Sequence, residues 1–387
     1  MSKNFTIVED IMNKTENEIK NIKPISILLI GKTGVGKSTL INNVFREKLA
    51  DTGIGRPITK HLRRITKEGV PIVLYDTRGL ELNNEAQKEG LKEIFDTLSQ
   101  GDKISSTGKI HLAYYCVNAT SSRIEPLELD LIKKLSTKIP VIVVLTQSIG
   151  DQSKELKKYI EELNLPVSGV INVMAQKFII SNEISIPPYG LDELIEMSFQ
   201  IIPEEQKRAF NNAQQVDIER KAKSARSWAS KYIATSFGVG FMPIPFSDAS
   251  ILVPMQLTLL AHITAIFGIS MDKATITSML AAVGGTGGAT YAGRYIVSNL
   301  IKLIPGVGTI VGGMISGATA SIMTTALALS YIEVLTVIAK GEKDGKYPDL
   351  KNIEQLMKEK LENRLKKSTD LLEENSSTKH KKWKFWK

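Results

Sequence analysis

Hydrophobic and polar positions follow two regimes along this chain. Between residues 24 and 203, short runs that are apolar throughout are separated by stretches of helical periodicity. The runs are ISILLI (25–30), VPIVLYD (70–76), IHLAYYCV (110–117), PVIVVLT (140–146) and SGVINVM (168–174). The helical patterns fall near 37–47, 84–99, 125–138, 152–163 and 190–202. Strands apolar on both faces, alternating with helices, predict an α/β doubly wound fold with a mostly parallel sheet. HLRRIT (61–66) alternates less cleanly and reads as an edge strand. Ahead of the sheet, Phe5, Val8, Ile11, Met12, Ile19 and Ile22 predict an amphipathic helix within residues 1–23, leading into the first domain and ended by Pro24.

The pattern changes after Pro203. Residues 204–231 are charged and helix-prone, and read as a connecting helix. From 232 to 340 the chain is apolar, rich in small residues and poor in charge, which predicts an all-α domain. Residues 303–332 carry no charge, a run longer than the roughly 20 residues that span a bilayer. Gly308 with Gly312, and Gly313 with Gly317, have the spacing that lets helices approach closely. Two readings stand. In one, this domain is a membrane-associated hairpin or bundle whose basic connections, Arg294, Lys302, Lys340, Lys343 and Lys346, face anionic lipid. In the other, it is a soluble bundle whose central helices are buried all round. The first is the expectation, with lipid as a partner of residues 232–340. Asp248, the acid within PIPFSDAS, reads as a helix cap.

Residues 341–387 begin with a helical stripe of Ile353, Leu356, Met357, Leu361 and Leu365. The closing EENSSTKHKKWKFWK reads as a disordered tail. Its cations and its Trp383, Phe385 and Trp386 suit an acidic bilayer surface, or RNA.

Composition narrows this little. A net charge of +9 over 387 residues favours anionic partners. Cys116 is the single cysteine, so no disulfide forms within the chain and a reducing compartment fits. It reads as a small buried strand residue. The four histidines lack metal-ligand spacing, and the first residues do not read as a signal peptide.

The chemistry is concentrated at the end of the first strand. GKTGVGKST, residues 31–39, follows that strand and precedes an apolar-periodic helix, matching G-x-x-x-x-G-K-[ST] in its required context. Gly31, Lys32, Thr33, Gly34, Val35 and Gly36 form a loop whose N–H groups can wrap phosphate oxygens. The helix N-terminus adds free donors and a favourable dipole. Lys37 would reach the β- and γ-phosphates, Ser38 would ligate Mg²⁺, and Thr39 completes the motif. Asp76 ends a strand as a water-mediated Mg²⁺ carboxylate should, and Gly79 can offer its N–H to the γ-phosphate. In DTGIGRPITKHL (51–62), Thr59 is the candidate for a second Mg²⁺ hydroxyl, with Thr52 the runner-up.

GKTGVGKSTLIN, TGIGRPIT and YDTRGLE together resemble the Era-like and septin-related P-loop GTPases over residues 25–202. The later helical part, around PIPFSDA and Gln256, is similar to an uncharacterised helical domain that follows such GTPases in bacteria. More loosely, the layout is similar to immunity-related GTPases. The resemblance implies GTP and GDP as substrate and product, Mg²⁺ as cofactor, catalysis through Lys37, Thr59 and Gly79, and a conformational switch. It also implies a cytoplasmic protein at the inner face of a membrane, able to self-associate. Two departures stand out. Leu80, not Gln, follows Gly79, so hydrolysis is expected to be slow without self-association or a partner. The base-reading loop has Thr146 in place, but Gln147 stands for the usual Lys and Ile149 for the usual Asp. Asp151 comes two residues late and either reaches the base or caps the next helix. MAQK (174–177) is a degenerate match to the loop that donates N–H groups to the base. An RNA- or ribosome-associated GTPase and a non-hydrolysing scaffold are the rivals. No RNA-binding module is recognisable, which argues against nucleic acid.

Overall fold

The computed structural model describes residues 7–57, 62–77, 91–96, 98, 109–237, 249–269, 271–284 and 317–384. They fall into two units, 19–217 and 1–18 with 218–387. Thr59, Gly79, Leu80, Asp248 and the 303–316 part of the uncharged run lie outside the described residues.

The first unit is built on a seven-stranded sheet of order β2-β3-β4-β1-β5-β6-β7. Its strands are β1 (Ile25–Ile30), β2 (Ile54–Pro57), β3 (Leu62–Lys67), β4 (Val70–Thr77), β5 (Leu112–Asn118), β6 (Val141–Thr146) and β7 (Gly169–Asn172). β4, β1, β5, β6 and β7 run parallel, while β2 and β3 turn antiparallel on β4. β3 is therefore not the edge expected from HLRRIT. Gly55 and Pro57 hide β2 from a strand search based on apolar runs.

Strand residues alternate between two cores. Ile27, Leu29, Tyr114, Cys116 and Val144 enter one; Leu28, Ile30, Tyr115, Val117 and Val143 enter the other. The first is covered by α2 (Lys37–Val44), α6 (Leu191–Ile201) and α7 (Glu204–Ala213). The second is covered by α4 (Pro126–Ser136) and α5 (Gly150–Glu162). Burial on both faces is why these strands read as unbroken apolar runs. A short α3 (Leu49–Thr52) follows α2, and residues 91–96 are helical. A small hairpin of β8 (Phe178–Ile179) and β9 (Ser185–Ile186) stands apart from the sheet.

The second unit is helical in its described residues: α1 (Ile7–Lys20, through Glu18), α8 (Ile218–Phe237), α9 (Ala249–Phe267), α10 (Lys273–Gly284), α11 (Gly317–Lys343) and α12 (Leu350–Lys384). The N-terminal helix does not serve the sheet. Val8 and Ile11 join the helical core, and Thr15 Oγ1 donates to the Ala261 carbonyl at 3.3 Å. Two helices, α7 and α8, replace the single connecting helix expected over 204–231. Gln214 breaks it, accepting from the Asp217 N–H at 2.8 Å and donating to the Asp217 carbonyl at 2.9 Å.

α9, α10 and α11 are apolar nearly all round because they form the interior. Several of their buried polar groups are paired within it, Thr264 with Tyr331 at 2.7 Å and Gln256 Nε2 donating to Thr324 at 3.2 Å, while Gln256 Oε1 and Ser330 Oγ make no hydrogen bond among the described residues. His262 stacks on Trp228 with ring centroids 3.6 Å apart, and its Nδ1 lies 3.0 Å from Glu18. α12 buries Ile353, Met357, Leu361 and Leu365 and continues to Lys384 through the segment that composition reads as disordered. That segment holds neither Gly nor Pro before Lys384, so nothing in it breaks a helix.

Candidate functional site

The parallel register gathers the motif residues at one edge of the sheet. Leu29 of β1 pairs with Asp76 of β4, two residues before Gly31. Asn118 of β5 pairs with Thr146 of β6 on the same edge. This is the C-terminal edge of the parallel strands, where open α/β sheets hold ligands.

The loop from Gly31 to Gly36 has φ of 146° at Gly31, 79° at Gly34 and 93° at Gly36, angles that L side chains avoid. At Gly31 a Cβ would also run into the carbonyl oxygen of Cys116. Lys37 opens α2 and folds back over the loop, its Nζ donating to the carbonyls of Gly31 at 2.7 Å and Lys32 at 3.0 Å. Two of its three donors are thus used, and the third is available to a phosphate. Ser38 and Thr33 are exposed, Thr39 is half-buried and Val35 is buried. α2 begins with free N–H groups and no acidic side chain in its first turn. That favours an anion.

Lys32 behaves differently. Its ammonium is 2.7 Å from Glu125 and 3.5 Å from Glu128, at the start of α4. Glu125 precedes Pro126 and closes a capping box with Glu128, whose Oε2 accepts the Glu125 N–H at 3.0 Å. The Lys32 hydrogen bond holds the Glu125 carboxyl below its ordinary range. Lys32 therefore ties the loop to α4, and its backbone, not its charge, serves the loop. The sequence signal for this was E-P-L-E at 125–128.

Cys116 lies between the two halves of the site, close enough to feel Lys37 and Asp76. Burial pushes its thiol up to about 12. Asp76 keeps Oδ1 out of solvent. Mg²⁺ commonly takes one or two side-chain oxygens, with phosphates and water completing its shell. One hydroxyl at Ser38 and one carboxylate at Asp76 fit that pattern. Among the described residues no cluster of three or more His, Cys, Asp or Glu could hold an ion unaided.

The base-side loop is joined to the phosphate loop. Thr146 Oγ1 donates to the Val35 carbonyl and lies 3.1 Å from that of Val117. The Gln147 amide nitrogen lies 3.6 Å from where a Gly36 Cβ would be. Gln147 is exposed, with φ of 51°. Ser148 N–H donates to the Val173 carbonyl at 3.2 Å, and Tyr189 OH donates to the Ser148 carbonyl at 2.9 Å. Tyr189 was not apparent from the sequence. Asp151 neither caps α5 nor faces the loop: it is the second residue of the helix, 84% exposed, paired with Lys154 at 2.9 Å. An acid in a first turn is stabilised by the helix dipole, so this position needs no ligand to explain it.

Residues 26–147 match the family model described as "50S ribosome-binding GTPase". The sheet and its flanking helices have the fold of a P-loop G domain. The match ends at Gln147, where the base loop departs from the usual sequence. The chain is 24% identical over 193 residues to neuronal-specific septin-3 of Rattus norvegicus, covering 43% of this chain and 52% of that protein. It is 26% identical over 182 residues to cell division control protein 10 of Candida albicans, covering 40% and 51%. The chain thus spans about half the length of the curated relatives it matches. Among solved structures, the G domain of the T. maritima FeoB iron transporter aligns at 20% identity and a TM-score of 0.30, over 46% of this chain and 98% of that one.

Proposed function

We propose that this protein is a GTP-binding switch that hydrolyses GTP slowly, its G domain acting on the helical unit. The observation that carries the reading is the Lys37 ammonium folded over the Gly31–Lys32 loop at the mouth of β1, with Thr146 clamping the same loop from the base side. The loop N–H groups and the α2 N-terminus would hold the phosphates. Ser38 and Asp76, with Thr59, would hold Mg²⁺, which when bound would neutralise charge on the phosphates. Gly79 would sense the γ-phosphate. Thr146 positions the loop that Gln147 extends toward the base.

Self-association and lipid contact are the finer parts of the proposal. Phe178, Ile179, Ile180 and Ile184 are 44–66% exposed on the β8–β9 hairpin, and Tyr189 links that region to the base loop. Exposed apolar clusters of this kind mark interaction surfaces. A second copy docking there would lie beside the nucleotide. The lipid part rests on Ala320–Lys343, of mean hydropathy 1.8, long and apolar enough to cross a membrane. Its most apolar window is already 67% buried, which favours surface contact by the unit over spanning.

The test is binding of fluorescent mant-GDP to the full chain with Mg²⁺, in competition with unlabelled GTP and ATP. Displacement by GTP and its loss in Lys37→Ala support the reading; equal displacement by ATP defeats guanine selectivity. The description of the matched family favours a ribosome-associated second reading. Ribonuclease-sensitive pelleting would support that one, and salt-resistant pelleting with lipid the first.

A further inference from the structure

A groove of about 470 Å³, open to solvent, runs between α8 and α11 of the helical unit, with Arg226, Ser230 and Ala234 exposed along it. Its wall on α8 carries Arg226, Ser230, Ile233 and Ala234, which recur at helical spacing on one face; Thr325 and Leu329 face them from α11. This is a recess in the surface of the helix pair, with Arg226 on its rim. It falls in the range of small-molecule sites. Ala229 and Ala328, both buried, are among its lining, and Ala234 is exposed.

The lining has a polarity. Lys340 of α11 pairs with Glu219 of α8 at 2.9 Å, while the groove lies between later α8 residues and earlier α11 residues, so the helices run antiparallel. Arg226 marks one end of the slot and Ala234 the other, about 12 Å apart along the helix. Ile233 and Leu329 give the space between an apolar wall, and Ser230 sits one turn from Arg226. Arg226 pairs with no carboxylate among the described residues. α8 also carries Arg220, Lys221, Lys223 and Lys231 against Glu219 as its one acid. Lys221 points inward to the Phe267 carbonyl at 2.5 Å, so the remaining cations set the field outside. A guanidinium at the end of an apolar slot selects an anionic head with a hydrocarbon body.

The geometry points to a binding site for a single-chain anionic amphiphile, its carboxylate or phosphate on Arg226 and its chain between α8 and α11. A free fatty acid has both parts. This inference goes beyond the nucleotide reading and does not depend on it.

The test uses the full-length protein and dansyl-undecanoic acid below its micellar concentration. Saturable binding at one site per chain is expected. Arg226→Gln should weaken it about tenfold, the loss of one charged hydrogen-bonded contact. Ala234→Trp should abolish it by filling the slot. The methyl ester of the probe should bind wild type about as weakly as the acid binds Arg226→Gln. Unchanged thermal unfolding and mant-GDP binding show that both variants are folded. No saturable binding by wild type, equal binding of acid and ester, or undiminished binding by both variants would overturn the assignment. Vesicles with and without phosphatidylglycerol are the control: binding to anionic vesicles without capture of the soluble probe would also overturn the assignment.

Discussion

Gln215 caps the far end of the helix that Lys37 begins. Its N–H donates to the Val44 carbonyl at 3.0 Å, and its Nε2 donates to the Asn42 carbonyl at 2.9 Å. Phe45 bridges to Gln214 beside it, and Arg46 donates to the Asn212 carbonyl at 3.2 Å and to its Oδ1 at 2.8 Å. Carbonyls that α2 would otherwise leave unsatisfied are thus met by the chain that continues into α8. One short helix has the Gly31–Lys37 loop at its start and this strap at its end.

Gln215→Ala should therefore lower stability by about 1 kcal/mol, the net worth of one hydrogen bond. Thermal unfolding with and without GDP checks this: the loss should appear in the transition that GDP shifts.

Thr146→Val should have a larger effect than its size suggests. The hydroxyl is buried and serves the Val35 carbonyl, so its removal leaves a buried acceptor short at a cost of about 1–3 kcal/mol. Weaker mant-GDP binding should accompany the stability loss. Asp151→Ala should leave mant-GDP affinity unchanged, because that carboxylate is exposed and held by Lys154.

The phosphate end of the site was legible because it is contiguous. Seven residues from Gly31 to Lys37 carry their function in backbone angles and spacing, which a sequence states directly. The Lys32–Glu125 tie and the Tyr189–Ser148 bond join residues far apart in the chain, and no local pattern announces them. The central strands were legible through their apolar runs; β2 was not, being short and containing Gly55 and Pro57. α9 and α11 showed as apolar stretches without ends, because a helix buried all round loses the periodicity that marks its boundaries. The break between α7 and α8 at Gln214 was hidden because residues 204–231 are helix-prone on both sides of it.

Lys32 makes the loop sensitive to acid. A carboxyl whose folded value is lowered contributes stability above the ordinary glutamate range and loses it as pH falls through the lowered value. In Lys32→Met, the Glu125 titration followed by carboxyl NMR should move up toward the ordinary range, and the acid-dependent part of loop order that rests on this pair should disappear.

Cys116 should be inert to thiol reagents in the folded protein, since the thiolate is the reactive form and burial opposes it. Ellman's reagent should find no thiol in the native chain and one after denaturation. Rapid reaction in the native state would mean that β5 opens around Cys116.

The stack of Trp228 on His262 has an optical consequence. The three tryptophans are Trp228, Trp383 and Trp386, and none falls within residues 19–217. The chain therefore carries its tryptophans in one unit and the Gly31–Lys37 loop in the other. A change in tryptophan emission on adding an unlabelled nucleotide would be a signal that had crossed from one unit to the other, read without any attached dye.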